Sequence, residues 1–233
     1  IYAQPFRRGR AWEREAVIQY LLPLAGICKK IELAPEQDSG AFLSVPVDLR
    51  VHGGYTRHKD KKSLRFRSEP AELSGAAASL WSEVAPGARA RTLVLRNGGN
   101  RPRTGLRDKL FQSWYGATGH LASRPRNCVL WINGAFWGVY DLRDKVCGEL
   151  FEREVGPGDY DIVRGLSDRP EVIEGSAERW RQVYSFLERY SLADDDSFDY
   201  IAERLALGEW TDYVLFNLFA AHQDWPGVNV TLF

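Results

Sequence analysis

Residues 128–142 constrain this chain more than any other stretch. Two apolar runs, Cys128 to Ile132 and Ala135 to Leu142, flank Asn133-Gly134. An Asn-Gly pair tolerates positive φ at both central positions of a two-residue turn, so the stretch reads as a β-hairpin. A hairpin commits its sheet to antiparallel pairing. The strands expected upstream, 45–51, 63–67 and 93–96, lack room between them for the crossovers that parallel strands need. Residues 16–20 read as a further strand, with helix as the competing assignment.

Thr104 can N-cap a helix over 105–115, whose Leu106, Leu110, Phe111 and Trp114 fall on one face. Beyond residue 151 the patterning turns helical. Ser176 would cap a helix over 177–190, and a short helix over 198–207 would stop at Gly208. The stretch 210–222 is apolar nearly all round and reads as a central buried helix. Asp194-Asp195-Asp196 reads as a solvated linker. The expectation is an α+β fold: a sheet-rich part over 1–145 followed by a helical part over 146–233.

Composition excludes several classes. A chain of 233 residues, 44% hydrophobic and with eight Trp, buries a sizeable core and is not disordered. No apolar run approaches the roughly 20 residues of a membrane-spanning helix. Three cysteines (Cys28, Cys128, Cys147) without a Cys-x-x-Cys pair give neither a disulfide framework nor a metal knuckle, and the four His lack zinc-ligand spacing. The chain contains no Met, opens without a signal peptide and ends on a strand-like run, which reads as a processed or excised piece.

Formal net charge is zero but unevenly spread. Arg50, Arg57, Lys59, Lys61, Lys62, Arg65 and Arg67 face one acid, Asp60, while residues 141–212 are strongly acidic. A basic front and an acidic back suit a polyanion held with a metal, although two solvated surfaces give the same pattern. Nucleic acid is disfavoured, because the basic segments lack interleaved aromatics.

Two motifs carry chemistry. The first is strand, Gly53-Gly54 turn, basic loop, strand: the glycines let backbone N–H groups approach a phosphate, and Lys61 and Lys62 supply positive charge where the chain returns. An ordinary hairpin with a basic tip is the plain alternative. The second is Asp224-Trp225-Pro226-Gly227-Val228-Asn229. An Asp with an Asn five residues later suits phosphoryl transfer, the carboxylate accepting the proton of the attacking hydroxyl and the amide oxygen ligating a metal. A helix-ending turn would look the same.

Together these pieces resemble the spore-coat protein H (CotH) kinase family. The resemblance rests on Arg50-Val51-His52-Gly53-Gly54-Tyr55-Thr56-Arg57 with Lys61-Lys62-Ser63-Leu64-Arg65, and on Leu95-Arg96-Asn97-Gly98-Gly99-Asn100 with Leu106-Arg107-Asp108. Ile132-Asn133-Gly134, the run from Trp137 to Lys145, and Asp224-Trp225-Pro226 with Asn229 complete it. The pieces occur in the family's order and cover residues 12–233. The resemblance implies a two-lobed, atypical protein-kinase-like fold using ATP and Mg2+ to phosphorylate protein hydroxyls. It also implies a bacterial extracellular, cell-surface or spore-coat setting, with a surface or coat protein as substrate.

By the same resemblance Asp224 is the catalytic base, Asn229 a metal ligand and Lys62 the phosphate-holding lysine, with Lys61 the second choice. Asp108 is a partner for that lysine from the regulatory helix, and Asp144 closes the hinge where the family usually has Glu. Asn229-Val230 stands where the family often has two Asn. The family's second metal-binding Asp lies on a strand after this segment, so the expectation for residues up to 233 is an incomplete metal site. Two other readings stay open: a kinase-fold transferase of another group, and a non-catalytic structural or interaction domain.

Overall fold

The computed structural model describes residues 3–21, 42–68, 92–98, 106–223, 225–226 and 229–233. It is a mixed α+β structure dividing into two compact units. One comprises residues 1–110 with 123–145, the other 111–122 with 146–233.

The first unit is built on a six-stranded antiparallel sheet of β1 (Arg14–Leu21), β2 (Phe42–His52), β3 (Ser63–Arg67), β4 (Thr92–Arg96), β5 (Arg126–Ile132) and β6 (Ala135–Asp144). The strands lie in the order β1-β2-β3-β4-β6-β5, so the returning strand of the 128–142 hairpin pairs with β4 and its leading strand forms an edge. The turn has the expected geometry, with Asn133 at φ 50° and Gly134 at φ 79°. Residues 14–21 form a strand, settling the choice left open over 16–20.

Alternation decides which face is apolar. Val45, Val47, Val51, Leu64, Phe66, Leu93, Leu95, Tyr140 and Leu142 pack on one side. The intervening residues on the other side include Arg50, Arg65, Arg67, Arg96, Asp141 and Arg143. Register sets Arg50 directly opposite Arg65. Glu13 resolves that like-charge pair by bridging both guanidinium groups.

Helix α1 (Arg107–Ala117) begins two residues later than expected, and Thr104 lies outside the described residues. No residue of α1 is buried, so the anticipated apolar stripe is only partly covered. Phe111 meets Phe216 edge-on at 6.2 Å, while Leu110 and Trp114 remain exposed.

The second unit corrects the helical expectation for residues after 151. Alongside α2 (Gly148–Glu154), α3 (Glu178–Arg189), α4 (Asp195–Ala202) and α5 (Leu207–Phe219) it carries a three-stranded antiparallel sheet. Its strands, β7 (Ile162–Arg164), β8 (Glu171–Glu174) and β9 (Thr231–Leu232), lie in the order β8-β7-β9. They are two to four residues long, too short for a period-2 pattern to register in sequence.

Asp194 is no mere linker residue: its carboxylate accepts the Ser197 N–H at 3.0 Å and caps α4. Gly208 stops nothing and lies in the first turn of α5. Helix α5 is not buried all round either. Asn217 is its one buried residue, and Leu215, Leu218 and Phe219 are exposed. Among the described residues, no helix is long and apolar enough to cross a membrane.

Candidate functional site

The glycine turn follows β2 directly. Gly53 has φ +100°, a left-handed value that L side chains rarely adopt, and a Cβ there would lie 2.9 Å from the Thr56 hydroxyl. Gly54 leads into a 3-10 turn, Tyr55–His58. Arg57 holds this turn from beneath, almost fully buried. Its guanidinium donates to the carbonyls of Gly53, Val51 (2.8 Å), Pro5 (2.6 Å) and Arg7 (3.1 Å). A trans peptide sets N–H opposite C=O, so with the Gly53 carbonyl turned to Arg57 the Gly54 N–H points the other way. The turn is therefore a fixed cradle whose shape one arginine dictates.

The loop then returns through Lys59, Lys61 and Lys62 to β3. Lys62 is buried, and its ammonium donates to the Lys59 carbonyl at 2.7 Å. Lys61 reaches across to β6, donating to the Val139 carbonyl and lying 4.6 Å from the centroid of the Tyr140 ring. Burial lowers the Lys61 ammonium pKa from its ordinary value, against an opposing pull from Cys128. Gly138 takes φ +114°, a left-handed value that L side chains rarely adopt, and the Lys61 stem packs against it: a Cβ there would sit in ordinary contact, 3.7 Å from Lys61 Cε.

Two further side chains hold the lysine pair. Asn97, the residue after β4, donates its amide to the Lys61 carbonyl at 2.6 Å. The Tyr140 hydroxyl donates to the Lys62 carbonyl at 3.0 Å. Three stretches distant in sequence, 61–63, 96–98 and 138–141, thus meet at the start of β3. Sequence reading singled out the lysines and glycines but missed Arg57, Asn97 and Tyr140 as their supports. Only Asn97, a polar residue directly after β4, carried a signal in sequence; Arg57 lies in the 3-10 turn and Tyr140 in the middle of β6.

Asp108, in the first turn of α1, pairs with Arg143 at 2.6 Å, and Arg143 also bridges to Asp141 on its own strand. Burial pushes the Asp141 carboxyl above its usual range against the pull of Arg143. Asp144 is buried at the end of β6, opposite Leu93.

In the second unit, the end of α5 is tied to the residues that follow. Asn217 donates to the Tyr213 carbonyl at 2.8 Å, and its amide oxygen lies 2.8 Å from His222 Nδ1. Asn229 is exposed at φ 65°, a left-handed conformation that Asn tolerates. Asp224 lies outside the described residues. Among the described residues no group of three or more His, Cys, Asp or Glu could hold a metal ion. The amide oxygen of Asn229 is nonetheless a hard donor of the kind that magnesium accepts.

A comparison with curated proteins gives no match. A protein-family model described as "CotH kinase protein" matches residues 49–233, a span that starts just before the glycine turn and takes in both lysines, the β5–β6 hairpin and Asn229. With about four-fifths of its length inside that match, the chain belongs to the CotH kinase family.

Proposed function

We propose that this chain is the catalytic region of an ATP- and Mg2+-dependent protein kinase. Its acceptors would be hydroxyl groups on proteins of a bacterial surface, secretion or spore coat. The observation that carries the reading is the lysine pair, held at the start of β3 beside a glycine turn of fixed shape. It sits inside the family match, and a kinase-like, two-lobed fold is the architecture such a site belongs to.

Lys62 would hold the nucleotide phosphates, with Lys61 beside it, and the backbone of Gly53-Gly54 would lie against them. An ammonium held in place just before a strand favours a fixed anion because little side-chain freedom remains to be lost. Asp144, at the end of β6, would close the nucleotide pocket's hinge. Asp224 would accept the proton of the attacking hydroxyl and orient it. Asn229 would take the magnesium ion, which when bound neutralises charge on the phosphates. Asp108, which pairs with Arg143, would be the acid that partners the phosphate-holding lysine.

The test is phosphate transfer by the full-length protein, with melting temperature measured on the same samples. Asp224→Asn should keep fold and nucleotide affinity while cutting turnover by about 10²–10⁴-fold. Unchanged transfer by that variant would end the kinase reading. Lys62→Ala should weaken magnesium-nucleotide binding far more than Lys59→Ala, whose side chain lies at the loop tip.

A further inference from the structure

Resting on the kinase reading, we propose that Asn97 and Tyr140 are positioning residues that set the Lys61–Lys62 pair for the nucleotide phosphates. The two lysines come just before the first ladder residue of β3. On the β4 side the pairing ends at Leu64 opposite Leu95, so the carbonyls of Lys61 and Lys62 lie past the end of the ladder. A buried carbonyl without a ladder partner must find a donor elsewhere. The Asn97 amide serves Lys61 and the Tyr140 hydroxyl serves Lys62. Asn97 is fixed in turn, its backbone N–H donating to the Ser63 hydroxyl at 3.1 Å.

Water is a poor substitute at this place. Tyr140 is 1% exposed, Asn97 3% and Lys62 6%. Holding two successive carbonyls fixes the two peptide planes, and with them the points from which both lysine stems depart. Tyr140 acts twice, its hydroxyl on the Lys62 carbonyl and its ring face beneath the Lys61 ammonium. A merely space-filling residue would need neither the hydroxyl nor the amide. The pair is therefore held by β4 and β6, not by its own loop alone.

The experiment uses the full chain with Tyr140→Phe and, separately, Asn97→Ala. Lysines are acylated with a limiting amine reagent well below the melting temperature. Mass spectrometry then compares Lys61 and Lys62 with Lys109 on α1. Magnesium-ATP affinity is titrated on the same samples. Loss of one positioning hydrogen bond should raise the relative labelling of the pair, and weaken ATP binding, by about fivefold each. Unchanged labelling ratios in both variants would overturn the positioning role, whatever ATP does. Raised ratios with unchanged ATP affinity would overturn its link to the nucleotide. Failure of the wild-type chain to bind magnesium-ATP would instead strike the kinase reading, while the labelling ratio still decides whether the two residues hold the lysines.

Discussion

Asp108 and Arg143 meet at 2.6 Å, and through that one contact the first turn of α1 is tied to the penultimate residue of β6. The partners are unequal. Arg143 is 6% exposed at its side chain and Asp108 43%, while Asp141, the other acid on Arg143, is 8% exposed.

That asymmetry predicts unequal losses. Arg143→Ala strands the Asp141 carboxylate in a buried position, and breaking such a pair costs about 3–5 kcal/mol. Asp108→Asn removes a half-exposed partner and should cost no more than about 1 kcal/mol. Urea unfolding of the two variants measures both. Equal losses would show that Asp141 does not depend on Arg143.

Arg57 should be irreplaceable by lysine. Its fork reaches four carbonyls in different directions, which a single ammonium cannot copy. Arg57→Lys and Arg57→Ala should each lose about 2–3 kcal/mol, since the buried Val51 carbonyl and three less buried ones lose charge-assisted donors at once. Denaturant titration checks it, and near-wild-type stability of Arg57→Lys would refute it.

His52 should make stability fall on the acid side. Burial first, then Arg96, Arg65, Lys145 and Arg57, hold its pKa down to about 3. The unfolded chain takes up this proton near pH 6.5, so the folded state is favoured fully above that value. Below it the unfolded state binds more protons, and stability is lost as pH falls from about 6.5 towards 3. The slope from this residue approaches about 1.4 kcal/mol per pH unit. His52→Gln should flatten the profile over that window in unfolding measurements at about pH 7, 6 and 5.

Two glycines separate backbone strain from crowding. Gly9 has φ +92° and open space within 4 Å of where a Cβ would stand, so Gly9→Ala should cost about 1–2 kcal/mol from conformation alone. Gly175 has φ +65°, and a Cβ there would meet Asp161 Oδ1 and lie 2.8 Å from the Tyr160 carbonyl. Gly175→Ala should therefore cost a further ~1–3 kcal/mol. Thermal melts of the pair give the comparison.

The sheet of the first unit was legible because its strands are long enough to alternate and its turns use residues with a conformational reason. Asn133-Gly134 and Gly53 are the clearest cases. The small sheet of the second unit was hidden for the opposite reason: Thr231-Leu232 becomes a strand only by pairing with Val163 and Arg164, far away in sequence. Gly208 misled because a glycine inside a first helical turn and one after a last turn look alike in sequence. At the candidate site the charged and glycine residues stood out, since their chemistry is intrinsic. Asn97, Tyr140 and Arg57 did not, because their importance lies in which carbonyls they reach, and that is fixed only by register.

The strand order also bears on assembly in time. Residues 126–144 close across a two-residue turn, so that hairpin can form within about 1–10 μs without waiting for distant chain. Its inner strand, β6, then offers an edge for β4. By contrast, the Arg57 bond to the Pro5 carbonyl joins residues 52 apart and must await closure of a long loop. The hairpin is thus the natural seed of the first unit, and the glycine cradle is among the last parts to set.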